Sequence, residues 1–149
     1  MRNAFSLLVL TLGLASGQAT KTAQERQDIL DYPLTLQRAN QLIAALPQMT
    51  QYVLTLPPDV LAKSAKKTRA ERIDSLEKDP KGMAILKKNG LTAKDYIIGV
   101  PALRMALWRA QGMAESSLVY ASPANLAFAK ANLAQLKPKW DAAEGRPAK

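Results

Sequence analysis

The stretch "DYIIGVPALRMALW" (Asp95–Trp108) decides the fold, because it is the most apolar run after the N-terminus. A membrane-spanning helix needs roughly 20 predominantly apolar residues, and a charge near its centre is expensive. Only eight uncharged residues separate Asp95 from Arg104, and Arg109 follows soon after. A bilayer span is therefore excluded. Tyr96, Ile97, Ile98, Val100, Leu103, Met105, Ala106, Leu107 and Trp108 cover nearly the full circumference of a helix. A helix that is apolar all round is surrounded by protein. This segment is expected to be the central helix of an all-α bundle. Pro101 removes the hydrogen bond to the Ile97 carbonyl, so a kink is expected there, and Gly99 can admit a close neighbour.

The start of that helix is written in "GLTAKDY" (Gly90–Tyr96). Thr92 is a natural N-cap and Asp95, three residues on, can reach back in a capping box. Leu91 and Tyr96 are placed for a hydrophobic staple. A helix should begin near Ala93.

Working outward, no strand-type alternation is found and helical spacing recurs. Residues 20–32 read as a loose, partly helical leader. Leu36, Ala39, Ile43, Leu46 and Val53 predict helix from about Pro33 to Leu54, either kinked at Pro47 or divided there. A second helix is expected from Pro58 to about Lys78, with surface pairs Lys67–Glu71 and Asp74–Lys78. Asp79 and Pro80 open a short helix that Asn89-Gly90 closes. Ser122 and Pro123 open the last one, which carries Leu126, Ala129, Leu133, Leu136 and Trp140 on one face and Pro138 near its end. The expectation is a compact bundle of about five helices, several kinked by proline, in a single domain over residues 33–144. Residues 145–149 are expected to be a disordered tail.

The 149 residues suit one domain, and 48% of them are apolar, enough for a core. Arg2, the apolar run Ala4–Ala15 and the small residues Ser16–Ala19 make residues 1–19 an export signal, with cleavage expected near Ala19. The mature chain is then periplasmic or secreted. It has no cysteine and no histidine, which removes disulfides, thiolate metal sites, cysteine nucleophiles and the commonest general base. No Walker loop, dinucleotide-binding glycine pattern or nucleophile elbow is present. No catalytic residue, metal site or cofactor is expected.

The formal charge of +9 favours an anionic partner. Export takes the chain away from nucleic acid, and its aromatic residues do not interleave with its basic ones, so no stacking platform is indicated. Lys63, Lys66, Lys67 and Arg69 are the candidate anion-binding patch, interrupted by Glu71 and Asp74. Arg104 raises a separate question. Its stem can lie along apolar neighbours with the head in water, or it can be buried in a pair with Asp95, Asp74 or Glu115. Arg104, Asp95, Tyr96 and Asn125 are the candidate ligand-binding set, beside a pocket expected at Gly99–Pro101.

Two stretches, "LKKNGLTAKDYIIGVPAL" (Leu86–Leu103) and "SPANLAFAKANLAQL" (Ser122–Leu136), resemble a group of small exported bacterial helical proteins of unknown function. The shared features are a Gly-Leu-Thr helix start, an aromatic after the acidic residue, and a late helix containing asparagine. The resemblance implies an exported helical protein of a Gram-negative envelope and supplies no catalytic residues. The reading that follows is a non-enzymatic protein that binds an anionic envelope component or a periplasmic partner protein. The alternatives are a small-ligand binder or enzyme using the Gly99–Pro101 pocket, and a chaperone-like scaffold with an exposed apolar groove.

Overall fold

Side-chain caps fix where five of the helices begin. Thr35, Thr68, Asp79, Thr92 and Ser122 each accept a hydrogen bond from a backbone N–H of the first helical turn. The computed structural model describes residues 19–146. Over those residues it contains seven α-helices and no strand: α1 (Ala19–Asp31), α2 (Leu36–Leu54), α3 (Pro58–Ala65), α4 (Arg69–Glu77), α5 (Pro80–Lys88), α6 (Ala93–Ala110) and α7 (Pro123–Ala143). Most of the expected export signal (residues 1–18) and residues 147–149 of the expected tail lie outside the described residues.

The all-α class holds, but the number of helices is seven rather than about five. One added helix is α1, where a loose, partly helical leader was expected. Ile29 is buried in the core, and two contacts outside α1 hold its flank. Glu25 accepts from the backbone N–H of Arg69 at 2.9 Å, and the Arg26 guanidinium lies 3.9 Å from the centre of the Tyr120 ring. The other added helix comes from division of the expected Pro58–Lys78 segment. Thr68 and Glu71 form a reciprocal capping box there, which starts α4 afresh. Glu71 therefore caps its own helix, while Lys67 donates to the Ser75 hydroxyl at 2.6 Å. The Asp74–Lys78 pair forms as expected, at 2.8 Å.

Pro47, Pro101 and Pro138 all lie inside continuous helices. The segment around Pro47 is thus one helix rather than two. It starts at Leu36, because Pro33 and the Thr35 cap hold the preceding residues extended.

The central position of α6 is found. Ile98–Val100 and Ala102–Leu107 are buried, Arg104 among them, and α6 packs against α1, α2, α4, α5 and α7, most extensively against α7. Leu103 and Leu107 from α6 meet a core that includes Leu42, Leu86, Leu136 and Trp140. Full burial of each such side chain contributes about 1.5–3 kcal/mol, so this helix is a leading contributor to the stability of the domain. The helix α3 is the opposite case. It has no fully buried residue and packs substantially on no other described helix.

Candidate functional site

The four residues expected to bind a ligand fall into two clusters. The first is organised by a residue that the sequence reading did not single out, Tyr32, in the linker between α1 and α2. Its hydroxyl donates to Asp95 Oδ1 at 3.1 Å. Its carbonyl accepts from Asn125 Nδ2 at 2.8 Å, and two residues on the Leu34 N–H donates to Asn125 Oδ1 at 3.2 Å. The buried Asn125 amide thus spends one donor and its acceptor on the backbone of the Tyr32–Leu34 linker, and Asn125 acts as a clamp.

Asp95 is equally occupied. Oδ2 accepts from the Thr92 N–H at 3.0 Å and the Thr92 hydroxyl at 2.8 Å, and Arg38 lies 3.2 Å away. Burial alone would raise this carboxyl. The hydrogen bonds from Thr92 and Tyr32, with the Arg38 charge alongside, outweigh burial and hold it below its ordinary value. Burial and the facing Asp95 charge push the Tyr32 phenol well up.

The space beside Gly99 is filled by the same linker. A Cβ at Gly99 would lie 2.9 Å from Leu42 Cδ1 and 2.9 Å from both Cζ and the hydroxyl oxygen of Tyr32. Where a pocket was expected, Tyr32 and Leu42 pack directly on the helix backbone.

The second cluster surrounds Arg104, which is buried, at 9% exposure, and paired. Its partner is none of the three acids considered from sequence. Nε donates to Glu144 Oε1 at 3.0 Å, and the guanidinium carbon lies 5.5 Å from the centre of the Trp140 ring. Asp95 is taken by Tyr32 and Arg38, Asp74 by Lys78, and Glu115 lies nearer Arg26 and Arg109. Glu144 in turn has Arg146 Nη2 at 2.9 Å from Oε2. Tyr96 stands close enough for the Arg104 charge to act on it, although burial dominates and raises its phenol. The cluster ties the end of α7 to the middle of α6. Its charged groups pair with each other, while the buried Trp140 Nε1 has no hydrogen-bond partner among the described residues.

The candidate anion patch is dispersed in a similar way. Arg69 is buried, and its guanidinium donates to the Glu25 carbonyl. Burial lowers its pKa, opposed by Glu25. Lys67 is half-buried on Ser75. Lys63 and Lys66 are exposed, with Lys63 3.7 Å from Asp59.

Three arginines hold elements together: Arg69 and Arg104 from buried positions, and the half-buried Arg38 through Asp95. Lysines populate the surface. Lys66, Lys81, Lys87, Lys88, Lys94 and Lys130 are exposed, and among the described residues none of them lies within ion-pair distance of a carboxylate. An open depression of about 620 Å³ between α4 and α5 is lined by Glu77, Lys78, Pro80, Met83, Ala84 and Lys87. No group of acidic residues capable of holding a metal occurs among the described residues, and no described helix is long and apolar enough to cross a membrane. No family model, curated protein or solved structure matches the chain.

Proposed function

We propose that this is an exported, non-enzymatic helical protein of the bacterial envelope whose work is to bind an anionic envelope component. The observation that carries the reading is the division of labour between the two basic residue types. Three arginines are consumed in the fold, while six exposed lysines have no carboxylate within ion-pair distance among the described residues. A surface with surplus positive charge raises the local concentration of polyanions and speeds their capture. The ordered interior beside Gly99 and the mutual pairing of Arg104 with Glu144 favour a surface interaction over an internal pocket. The N-terminal pattern of residues 1–19 supports export, and the resemblance of the Leu86–Leu103 and Ser122–Leu136 stretches to small exported proteins points the same way.

The test is retention of the mature chain, beginning near Thr20, on lipopolysaccharide micelles and on phosphatidylglycerol-containing vesicles at low ionic strength. Binding should weaken steeply between low and physiological salt, because the Debye length shrinks to about 8 Å at 0.15 M. Failure to bind either anionic material at low salt overturns the proposal.

A further inference from the structure

The helix α3 is eight residues long, and isolated helices shorter than about 12–15 residues are marginal in water. Most short helices in folded proteins survive by burying an apolar face, yet α3 has no fully buried residue. Leu56 and Leu61 are half-buried, while the other apolar residues from Leu54 to Ala65 stay in solvent. Leu54 is 56% exposed and Val60 41% exposed, while Pro57, Pro58, Ala62 and Ala65 are also exposed. These are two of the five exposed large apolar residues among those described, and they flank one proline turn.

The charge beside this apolar edge is mostly positive, Asp59 being the one acid of the Leu54–Lys66 segment and lying 3.7 Å from Lys63. From Val60 to Ala70 the chain has no acidic residue and carries Lys63, Lys66, Lys67 and Arg69, of which Lys63 and Lys66 are the exposed pair. Further lysines lie at the same end of the molecule. The Tyr52 hydroxyl donates to Asp79 Oδ2 at 2.6 Å, which ties the last turn of α2 to the start of α5. Lys81 and the Asp74-paired Lys78, both exposed, therefore stand near the turn from which α3 departs.

We infer that the Leu54–Lys66 segment, with α3 at its centre, is a docking edge for an anionic phospholipid surface. Leu54 and Val60 enter the boundary between headgroups and acyl chains, and Lys63 and Lys66 contact the anionic headgroups. This rests on the reading of the protein as a binder of an anionic envelope component and names the surface and the lipid chemistry. Charge complementarity selects lipid over the alternatives. A neutral apolar partner leaves the lysines without a role, and a second copy brings a surface with the same excess of positive charge. Interfacial helices are built in this way, with an apolar side bordered by lysines. The edge is small, so binding is weak and reversible, on the order of 10³ M⁻¹ in lipid, below the 10⁴ M⁻¹ typical of a single myristoyl chain.

The experiment is flotation of the mature chain with vesicles of one part phosphatidylglycerol to three parts phosphatidylcholine, at millimolar lipid. The double variant Leu54→Ser/Val60→Ser should lose about tenfold in partitioning. Lys63→Glu/Lys66→Glu should lose about twentyfold or more, since each lysine near an anionic surface contributes about fivefold and reversal adds repulsion. Leu118→Ser, which removes an exposed leucine from the loop between α6 and α7, should leave binding unchanged. All variants alter exposed side chains, so a thermal unfolding scan should show the same midpoint in each and exclude misfolding as the cause.

Undiminished binding in both α3 double variants overturns the inference while leaving an anionic partner in place. Retention on lipopolysaccharide micelles without any on phosphatidylglycerol bilayers does the same. Concentration-dependent dimerisation that Val60→Ser abolishes also overturns it and gives the edge to a second copy.

Discussion

At the scale of single residues, the interior polar groups work as fasteners. Gly99 shows how tight the fit is. Helix propensity alone favours alanine over glycine by about 1 kcal/mol. Against that, a new Cβ would press at 2.9 Å on Leu42 and on Tyr32, whose ring end is anchored to Asp95. Overpacking of this kind costs about 1–3 kcal/mol, and neither neighbour is free to move. Gly99→Ala should therefore be a net loss of about 1 kcal/mol in denaturant unfolding. Arg104 and Glu144 make a sharper case. Removing one member of a nearly buried pair strands the other, at a cost of about 3–5 kcal/mol for Glu144→Ala, whereas Arg104→Met/Glu144→Leu should recover most of that loss. A thermodynamic cycle over the two sites checks both statements. Asp95 gives a pH prediction. Its carboxyl is held below the ordinary value, so the associated stability is full above that value and is lost as pH falls through the depressed one. The stability gap between the wild type and Asp95→Asn should narrow below about pH 4. The sequence showed that Arg104 needed a partner and that Gly99 could admit a neighbour. It did not show which ones, because Glu144 is 40 residues away at the end of α7 and Tyr32 sits in a linker 63 residues from Asp95.

At the scale of elements, local chemistry was the legible part. The starts at Ala93, Pro80 and Pro123 follow from Thr92, Asp79 and Ser122, because a cap acts through residues within one turn. The division between α3 and α4 was written in the same code, as Thr68 and Glu71 three residues apart, but the helical spacing of Leu61, Ala65, Ile73 and Leu76 across it suggests continuity. Thr68→Ala should cost about 1 kcal/mol by removing that cap, and helix content should fall little, since Ile73 and Leu76 still pack on the core. The docking of α1 was less visible, because its charges alternate and Ile29 is its sole buried side chain among those described. These differences set the order of local opening. In amide exchange, α6 should be the slowest helix, near the global unfolding limit, and α3 the fastest of α2–α7. Protection of α3 equal to that of α6 would mean that its apolar side is covered in solution. That would leave no free edge for a lipid surface.

At the scale of the whole molecule, packing order was hidden from the sequence. Amphipathic spacing tells each helix to bury a face but does not say against which partner, so the bundle was legible as a class and its contacts were not. The tyrosines report on that assembly as a set. The chain has four, and all four are displaced upward, three chiefly by burial and Tyr52 chiefly by its hydrogen bond to Asp79. Tyr52, bonded to Asp79 and partly buried, is pushed up to about 12. Burial raises Tyr32, Tyr96 and Tyr120, with Arg104 opposing at Tyr96 and Arg69 and Arg26 opposing at Tyr120. An acid whose pKa is raised by folding contributes stability that is complete below its unfolded value, near 10, and is lost as pH climbs through the folded one. These residues join the α1–α2 linker, the end of α2, the start of α6 and the loop before α7, so ionising them works against several interfaces at once. Alkaline titration should therefore show less tyrosinate absorbance near pH 10 than four free phenols would give, followed by a rise together with the loss of helical circular dichroism. If one tyrosine titrated near its ordinary value while the helices stayed intact, the interface it marks would be open in solution. Replacing each tyrosine in turn by phenylalanine would identify which one.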